Sequence, residues 1–472
     1  MAAAPKDDTR QLSPNTRQEG ARAALLTLAA INVLNYADRY VPSAIKTLLQ
    51  AELQLSDAET TYPTAAMLTV YMVMALVYGV IVDWKILDRR VLLALAVALW
   101  SLATALTSTA TSLMQLIIYR SLLGVGEAAY ASIVPPILAD FYPRAERNNA
   151  YAIFNAAMPL GAATGFVTAA IVASVFGWRS AFLVCGIPGL LLALLILRLH
   201  DPPRGINDKD MVDILGPSAE EGNVRYDGCE PASLAGPPPS FFATCQGILC
   251  NSWYAAATAG MIAQTFAIGA FAEWFPTLMV RDGTASTTQA GMVLGAAIAI
   301  GGLFGSLLGA KVAQYFEGTF KSAYFLVSAT FAVPAAVCAV TAVATVRTMF
   351  LAVPSIILGL TCAFAAIPPL NAVSISVIPV HLRARSSGLQ VFLMHALGDV
   401  LSPPIVGLIS DSTGSLSFAL QVASLGFWLS ALCWWLGCVL LPPLPPFSHE
   451  DARRGQVMDL FEADDASVVD RK

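Results

Sequence analysis

The sequence predicts an all-α membrane protein with twelve transmembrane helices arranged as two six-helix bundles. The 472-residue chain is 56% hydrophobic and 12% charged, whereas a soluble globular protein carries about 25% charged residues. Its mean hydropathy is +0.65. Twelve apolar runs reach the length of about 20 residues that crosses a bilayer. They fall into two sets of six around one long polar segment.

The two sets of predicted helices can be read off the chain in order. The first set lies near 21–44, 65–83, 91–110, 112–141, 148–173 and 179–198. The second set lies near 253–280, 288–314, 320–343, 349–379, 384–411 and 417–441. The chain is therefore expected to contain a disordered N-terminus at 1–20, bundles at 21–198 and 246–441, a linker at 199–245 and an acidic tail at 442–472.

The placement of Lys and Arg predicts the orientation. Of the 27 such residues, 21 lie in the N-terminal segment, in the loops that follow even-numbered helices, or in the tail. Four lie in the other loops, and Arg39 and Arg120 lie within apolar runs. Because Lys and Arg concentrate in cytoplasmic loops, both termini and the linker are predicted to be cytoplasmic. The pattern predicts a multi-pass membrane protein but does not identify its membrane; the plasma membrane and a lysosome-like organelle are the two alternatives.

The two halves resemble each other at an offset of 236 residues. At this offset Pro143 matches Pro379, Arg147 matches Arg383 and Phe182 matches Phe418. Together with the division into six and six helices, these matches predict parallel half-repeats related by an axis along the membrane normal. Two such bundles can rock around a central site, which is the geometry of alternating access.

Two charged residues interrupt the fourth apolar run. Arg120 and Glu127 are seven residues apart, so they share one helix face. A charge at the bilayer centre is costly and usually faces the bundle interior or a wet cavity. The two residues could form a structural ion pair or a proton or substrate site. We favour the site, because Asp38 lies in the first apolar run and could pair with Arg120. Asp38 could also belong to an ion pair at the outer helix end.

Several motifs resemble the spinster branch of the major facilitator superfamily. They are Asn-Tyr-Ala-Asp-Arg-Tyr at 35–40, Arg-Ser-Leu-Leu-Gly-Val-Gly-Glu-Ala at 120–128, Gly-Trp-Arg at 177–179, Ile-Pro at 378–379 with Arg383 and Arg385, His-Ala-Leu-Gly-Asp-Val-Leu-Ser-Pro at 395–403 and Gly-Leu-Ile-Ser-Asp at 407–411. The resemblance extends from the first to the twelfth helix and implies the major facilitator fold. The first motif alone is less specific, since organic-anion porters of the superfamily carry similar residues.

The resemblance implies a substrate class and residue roles. Spinster proteins are implied to move lipids with a charged head, such as lysophospholipids and sphingosine phosphate, and some of them to be coupled to protons. By this resemblance Asp38 and Glu127 would take and release the proton. Arg120 would be their ionic partner or a ligand of the head group, and Glu127 would also line the substrate site. An arginine suits a phosphate because its guanidinium presents a fork of donors.

Three further residues are predicted to contact the substrate. Glu273 lies in the seventh predicted helix; it could instead be solvated near the outer interface. His395 and Asp399 are four residues apart in the eleventh helix, where they could form a hydrogen bond. The histidine could also be a packing residue.

A cytoplasmic latch is predicted between the second and third helices. The superfamily normally has Gly-x-x-x-Asp followed by a basic cluster in this loop. Here Asp83 ends the Gly-Val-Ile-Val-Asp stretch at 79–83, and Arg89 and Arg90 follow two residues later than in the family pattern. Asp83, Arg89 and Arg90 are the predicted latch residues.

The sequence points away from several other functions. Its eight cysteines show neither metal-ligand spacing nor a disulfide framework. No Gly-rich phosphate loop with Gly-Lys-Ser/Thr is present, which argues against direct use of ATP. We therefore expect no cofactor, no metal, no catalytic residue and no nucleic-acid partner, and we expect a monomer that is not an enzyme.

Three hypotheses for function follow. The first is a secondary-active, proton-coupled transporter that moves a lysophospholipid or sphingolipid-type amphiphile by alternating access. The second is a porter of the same superfamily for organic anions or small polar solutes. The third is a non-transporting membrane sensor, which the retention of Asp38, Arg120 and Glu127 disfavours, since a sensor would not need these costly charges.

Overall fold

Twelve long helices form two bundles in a computed structural model of the chain, which describes residues 14–83, 87–142, 144–199, 202, 241–316, 320, 322–378 and 383–441. The first bundle consists of α1 (Pro14–Ala44), α2 (Asp57–Asp83), α3 (Arg89–Thr107), α4 (Leu113–Phe141), α5 (Arg144–Phe176) and α6 (Trp178–Ile196). A short helix, Lys46–Leu53, lies between α1 and α2. This architecture confirms the predicted fold class.

The second bundle repeats this plan with more irregular helices. It consists of α7 (Ser252–Arg281), α8 (Thr287–Ile300 and Ser306–Phe316), α9 (Ala323–Ala344), α10 (Met349–Ala365 and Ile367–Ser376), α11 (Arg383–Met394 and Ser402–Thr413) and α12 (Leu416–Leu440). Single π-helical turns, Gly301–Gly305 and His395–Asp399, interrupt α8 and α11. A short helix, Phe241–Leu249, precedes α7.

Local chemistry explains where many of these helices begin. The side chain of the residue before the first turn accepts a hydrogen bond from a backbone N–H of that turn, which satisfies a donor that has no partner within the helix. The residues that do this are Asp88 before α3, Ser112 before α4, Asn251 before α7, Ser286 before α8 and Ser415 before α12. The break in α10 at Ala366 precedes Pro368 and Pro369, which have no N–H to continue the ladder.

Some predicted boundaries are shifted. Helix α1 begins at Pro14 rather than near residue 21, so part of the segment predicted to be disordered is helical. Helix α2 begins at Asp57 rather than near residue 65. The short helix Phe241–Leu249 crosses the predicted border between linker and second bundle. The tail at 442–472 and most of the linker lie outside the described residues.

Helix positions agree with the offset of 236 residues. Shifting α4 by 236 places it at 349–377, where both segments of α10 lie. The same shift places the end of α1 at 280, one residue before the end of α7. Pro143 and Pro379 lie outside the described residues, and the third matched pair differs in environment, since Phe182 is fully buried and Phe418 is 50% exposed. At this pair the halves share the helix position but not the burial of the side chain.

The two bundles meet mainly along the helix pairs α1–α7, α2–α11 and α5–α8. Side-chain bonds between the bundles connect α1, the short helix Lys46–Leu53 and α2 with α7 and α11. They lie at the end of the molecule where α1 connects to α2 and α7 connects to α8, which we call the joined end. Ten helices in the described part of the chain are long and apolar enough to cross a membrane.

The close packing of α8 on α10 yields a stability prediction. A Cβ atom added to Gly309 would lie 1.8 Å from the backbone oxygen of Ala365, so the Gly309→Ala substitution would force the helices apart. We expect it to lower the free energy of unfolding by about 1–3 kcal/mol and to lower the unfolding temperature of the purified protein in detergent.

Gly388→Ala in α11 is the matched control. A Cβ atom at this position meets nothing within 4 Å, and alanine favours the helix over glycine by about 1 kcal/mol. Its unfolding temperature should equal or exceed that of the unmodified protein. Equal unfolding temperatures for the two variants would show that close contact at Gly309 does not limit stability.

Candidate functional site

Four charged residues meet between α1 and α4 in the first bundle. Asp38 and Arg39 come from α1, and Arg120 and Glu127 come from α4. Asp38 is 0% exposed, and Arg120 and Glu127 are each 1% exposed. Because a buried charge is costly unless it is paired or hydrogen-bonded, the partners of these four groups determine what the site can do.

Glu127 pairs with Arg39, not with Arg120. Arg39 Nε donates to Glu127 Oε2 at 2.7 Å, and the Glu127 side chain is fully buried. The shared helix face of Arg120 and Glu127 had suggested that they could pair with each other. Arg39 belongs to the same α1 motif as Asp38, and its side chain crosses to α4 to reach the carboxylate.

The guanidinium of Arg120 donates its hydrogen bonds to backbone carbonyl oxygens of α1. Its Nη1 and Nη2 each donate to the Asp38 carbonyl oxygen at 3.1 Å, and Nη2 also donates to the Arg39 carbonyl oxygen at 3.2 Å. The reason lies one turn further along α1, where Pro42 stands inside the helix. Proline has no N–H for the carbonyl four residues earlier, which is that of Asp38. Arg120 replaces the missing donor, so the suggested pairing of the Asp38 and Arg120 side chains is wrong.

Asp38 and Glu127 each have one carboxylate oxygen that accepts no hydrogen bond from the described residues. Thr104 Oγ1 donates to Asp38 Oδ2 at 3.3 Å. Within the described part of the chain, Asp38 Oδ1 and Glu127 Oε1 have no hydrogen-bond partner. A buried carboxyl oxygen without a donor can instead carry a proton and become a donor itself. Both groups are therefore chemically suited to bind and release protons.

Aromatic rings surround Arg39 and connect it to the second bundle. Its guanidinium carbon lies 5.1 Å from the ring centroid of Tyr36 and 4.8 Å from that of Tyr71, which is within the range of cation–π attraction. Tyr71 also meets the ring of His395 edge-on at 6.4 Å. His395 Nδ1 lies 2.9 Å from Asp399 Oδ2, as their spacing predicts. Both residues lie in the π-helical turn of α11 and are about one quarter exposed.

A cavity of about 130 Å³ opens beside the Arg39–Glu127 pair. Its polar lining residues are Asn32, Asn35, Tyr36, Arg39, Tyr71, Glu127 and Tyr130, and its apolar lining residues are Ala131, Pro135, Phe154 and Met158. Along α4, Pro135 lies two turns beyond Glu127, away from the joined end. A volume of this size holds about four water molecules, so it fits a small polar group and not a whole lipid.

Glu273 lies away from this cavity, at the joined end. Its side chain is only 6% exposed and forms an ion pair with Lys46, and it accepts a hydrogen bond from Ser43 Oγ. The alternative of a solvated residue near the outer interface is therefore wrong, because Glu273 is enclosed between the two bundles. Lys46, one of the four basic residues that the sequence places in the other loops, is 2% exposed.

The predicted latch residues lie at the opposite end of the first bundle. Arg89 Nη1 donates to Asp140 Oδ2 at 2.6 Å, and Arg89 Nη2 donates to the Pro202 carbonyl oxygen at 2.9 Å. Arg90 donates to the Leu199 carbonyl oxygen at 3.1 Å. These bonds join the start of α3 to the end of α4 and to the chain after α6. The Asp83 side chain lies outside the described part, so the latch itself stays a prediction.

Sequence reasoning missed Arg39 and Lys46 as site residues. Only Asp38 of the motif at 35–40 was assigned a role from the sequence, although Arg39 belongs to the same motif. Lys46 could have been found by charge balance, since a glutamate within an apolar run needs a cation and Lys46 lies just beyond the first predicted helix. Which cation reaches which carboxylate depends on helix packing and is not visible in the sequence.

Three comparisons with known proteins agree with this fold. The family model of the Major Facilitator Superfamily matches residues 28–403. Protein spinster homolog 1 of Mus musculus is 27% identical over 461 residues, which cover 92% of this chain and 82% of that protein. The sphingosine-1-phosphate transporter SPNS2 of Danio rerio is 27% identical over 416 residues, 84% of this chain and 78% of that protein.

A solved structure shows the same fold. It is the crystal structure of a bacterial homolog to the human lysosomal transporter Spinster, in an inward-facing and occupied conformation. Its TM-score is 0.71 at 18% sequence identity, and the alignment covers 90% of this chain and 98% of that one.

The contact between Arg120 and the Asp38 carbonyl yields a second stability prediction. Arg120→Lys keeps the charge but loses the planar fork that reaches two carbonyls. We expect it to lower the free energy of unfolding by about 1–3 kcal/mol, measured as a lower unfolding temperature in detergent.

The same substitution in a Pro42→Ala background provides the control. Alanine restores an N–H four residues after Asp38, so the carbonyl no longer depends on Arg120. The destabilisation by Arg120→Lys should then be smaller than in the unmodified protein. Equal losses in both backgrounds would contradict the role of Pro42.

Proposed function

We propose a function for this chain, which belongs to the Major Facilitator Superfamily and is a spinster-type transporter. It moves a lysophospholipid or sphingolipid-type amphiphile by proton-coupled alternating access. The observation that carries this proposal is the cavity beside Arg39 and Glu127. Its lining combines charged and polar side chains with apolar ones. An amphiphile with an anionic head combines the same two kinds of group.

The head group is assigned to Arg39. Arg39 lines the cavity, whereas the hydrogen bonds of Arg120 go to two backbone carbonyls. A phosphate accepts bidentate hydrogen bonds from arginine and would compete with Glu127 for Arg39. The cavity admits only the head, so the apolar chain would extend past Phe154 and Met158. The name of the Danio rerio relative supports a phosphorylated sphingoid base as one candidate.

The charge balance of the cluster supports coupling to protons. With all four groups ionised, two carboxylates and two guanidinium groups cancel. A proton on Glu127 would leave Arg39 without its counterion and leave one positive charge in excess. Because an uncompensated buried charge is costly, a protonated cluster would bind an anionic head more tightly, and by linkage a bound head would favour the proton. Asp38, which accepts only a long hydrogen bond from Thr104, is the second proton site.

The other residues have supporting roles in this proposal. His395 and Asp399 would be the residues of the second bundle that contact the substrate, because Tyr71 lies between His395 and Arg39. With both termini in the cytoplasm, as the positive-inside pattern predicts, the joined end faces away from the cytoplasm. The transporter is proposed to act as a monomer, in the bilayer and without a cofactor.

Transport by the purified protein in liposomes tests the substrate. We expect a labelled lysophospholipid or sphingosine phosphate to move faster than in protein-free liposomes, and the rate to change when a pH gradient is imposed. Movement of a small organic anion alone would overturn the lipid assignment in favour of a polar-solute porter. No movement of either substrate by folded protein would favour the sensor.

The Glu127→Gln variant tests proton coupling. Glutamine still accepts a hydrogen bond from Arg39 but cannot take up a proton, so transport should lose its response to the pH gradient while the variant still binds lipid. Glu59→Gln, at the start of α2 and outside the cluster, is the matched control and should transport like the unmodified protein. An unchanged pH response in Glu127→Gln, with normal folding, would rule out Glu127 as the proton site.

A further inference from the structure

The short helix Lys46–Leu53, which we call the bridging helix, contacts both bundles at the joined end. It follows α1 after a non-helical residue, Ile45, and ends at Leu53; the next residue, Gln54, has a left-handed φ of 54°. Leu49 on its inner face is buried. The helix thus sits where the two bundles have to separate if the joined end opens.

Its ion pair with the first bundle is exposed. Glu52 accepts hydrogen bonds from Trp178 Nε1 at 2.5 Å and from Arg179, at the start of α6. The side chains of Arg179 and Glu52 are 38% and 47% exposed. The hydrogen bond from Trp178, together with that from Arg179, lowers the pKa of Glu52. Arg179 also donates to the Ala110 carbonyl oxygen at 3.1 Å. The Gly-Trp-Arg motif therefore fixes the bridging helix to its own bundle.

Its ion pair with the second bundle is buried. Lys46 forms an ion pair with Glu273 of α7, and the two side chains are 1% and 6% exposed. Lys46 Nζ also lies 3.8 Å from the ring centroid of Trp274. Ser43, at the end of α1, donates to the same carboxylate. One cation and one hydroxyl of the first bundle thus hold one carboxylate of the second.

A second set of contacts lies beside it. Arg281 Nη1 at the end of α7 donates to Asp57 Oδ2 at 2.7 Å, and Arg281 Nη2 donates to Gln50 Oε1 of the bridging helix at 2.8 Å. Ser410 Oγ of α11 donates to Asp57 Oδ2 at 2.6 Å. The α11 carboxylate of Asp411 accepts from the backbone N–H groups of residues 57 and 58 at 3.0 and 2.9 Å. The second bundle therefore caps the first turn of α2.

Burial makes the Lys46–Glu273 pair suitable for release. Two charges that leave water lose their hydration, and much of their attraction only offsets that loss. If the bundles separate at the joined end, both groups regain water, so the net cost of separation is modest. If one partner is neutral, the remaining charge is buried without compensation, and separation becomes favourable. The Glu52–Arg179 pair lies within one bundle and has no such effect.

We propose that the bridging helix moves with the first bundle and that the Lys46–Glu273 pair, together with Asp57–Arg281, sets how often the joined end opens. The proposal rests on the alternating access of the proposed function but not on its substrate or on protons. Glu273 is then a residue that controls access to the site and not a ligand of the substrate.

Distances between spin labels at the joined end test the proposal. The labels are placed on Thr109→Cys and Thr348→Cys, both exposed positions in different bundles, in a full-length chain freed of its eight native cysteines. We expect Glu273→Gln to raise the population with the longer distance about tenfold or more. Exchanging the charges, as Lys46→Glu with Glu273→Lys, should restore the original distribution.

A second label pair separates rocking of the bundles from local fraying. Leu197→Cys and Tyr315→Cys lie at the opposite end and are exposed. If the bundles rock, Glu273→Gln should also shorten this distance. Glu52→Gln, which breaks a contact within the first bundle only, is the matched control and should leave both distances unchanged.

Several results would overturn the proposal. They are an unchanged distribution in Glu273→Gln, an equal change in Glu52→Gln, or a change at the joined end without one at the opposite end. Where Glu273→Gln does not fold, Arg281→Gln gives the same readout on the neighbouring contact. Because no substrate is added, a lipid assignment that fails in liposomes does not affect this measurement.

Discussion

The hydrogen bonds from Arg120 to the backbone of α1 support the rest of the site. Pro42 leaves the Asp38 carbonyl without a helical donor, and the guanidinium of Arg120 supplies two. This contact positions the turn of α1 that carries Asp38 and Arg39 against α4. Without it, a polar backbone group would remain unsatisfied in an apolar interior, where each such group costs several kcal/mol. The proline in α1 and the arginine in α4 are therefore best understood as one structural unit.

Helix α1 connects the charged cluster with the joined end. Asp38 and Arg39 belong to the cluster, while Ser43 and Lys46, about one to two turns further along the chain, contact Glu273 of the second bundle. A displacement of this part of α1 would act on the cluster and on the contact between the bundles together. Such a connection is the physical basis on which binding at a central site can be linked to opening at one end.

The irregular helices of the second bundle place polar groups toward the first. The π-helical turn of α11 carries His395 and Asp399 and brings His395 against Tyr71. Tyr71 in turn contacts Arg39 through its ring. The cavity, whose lining residues all belong to the first bundle, thus has a polar neighbour in the second bundle.

The sequence by itself determined the class of protein, the division into two bundles of six helices, and which charged residues lie among apolar ones. These properties follow from composition, from the length of apolar runs and from the position of single residues, all of which are local. The pairing of charges was decided only by the tertiary structure. Arg39 and not Arg120 reaches Glu127, Lys46 turns inward to Glu273, and the free carbonyl of Asp38 takes up Arg120. Partners on different helices depend on how the helices are rotated and packed, and no single helix encodes that rotation.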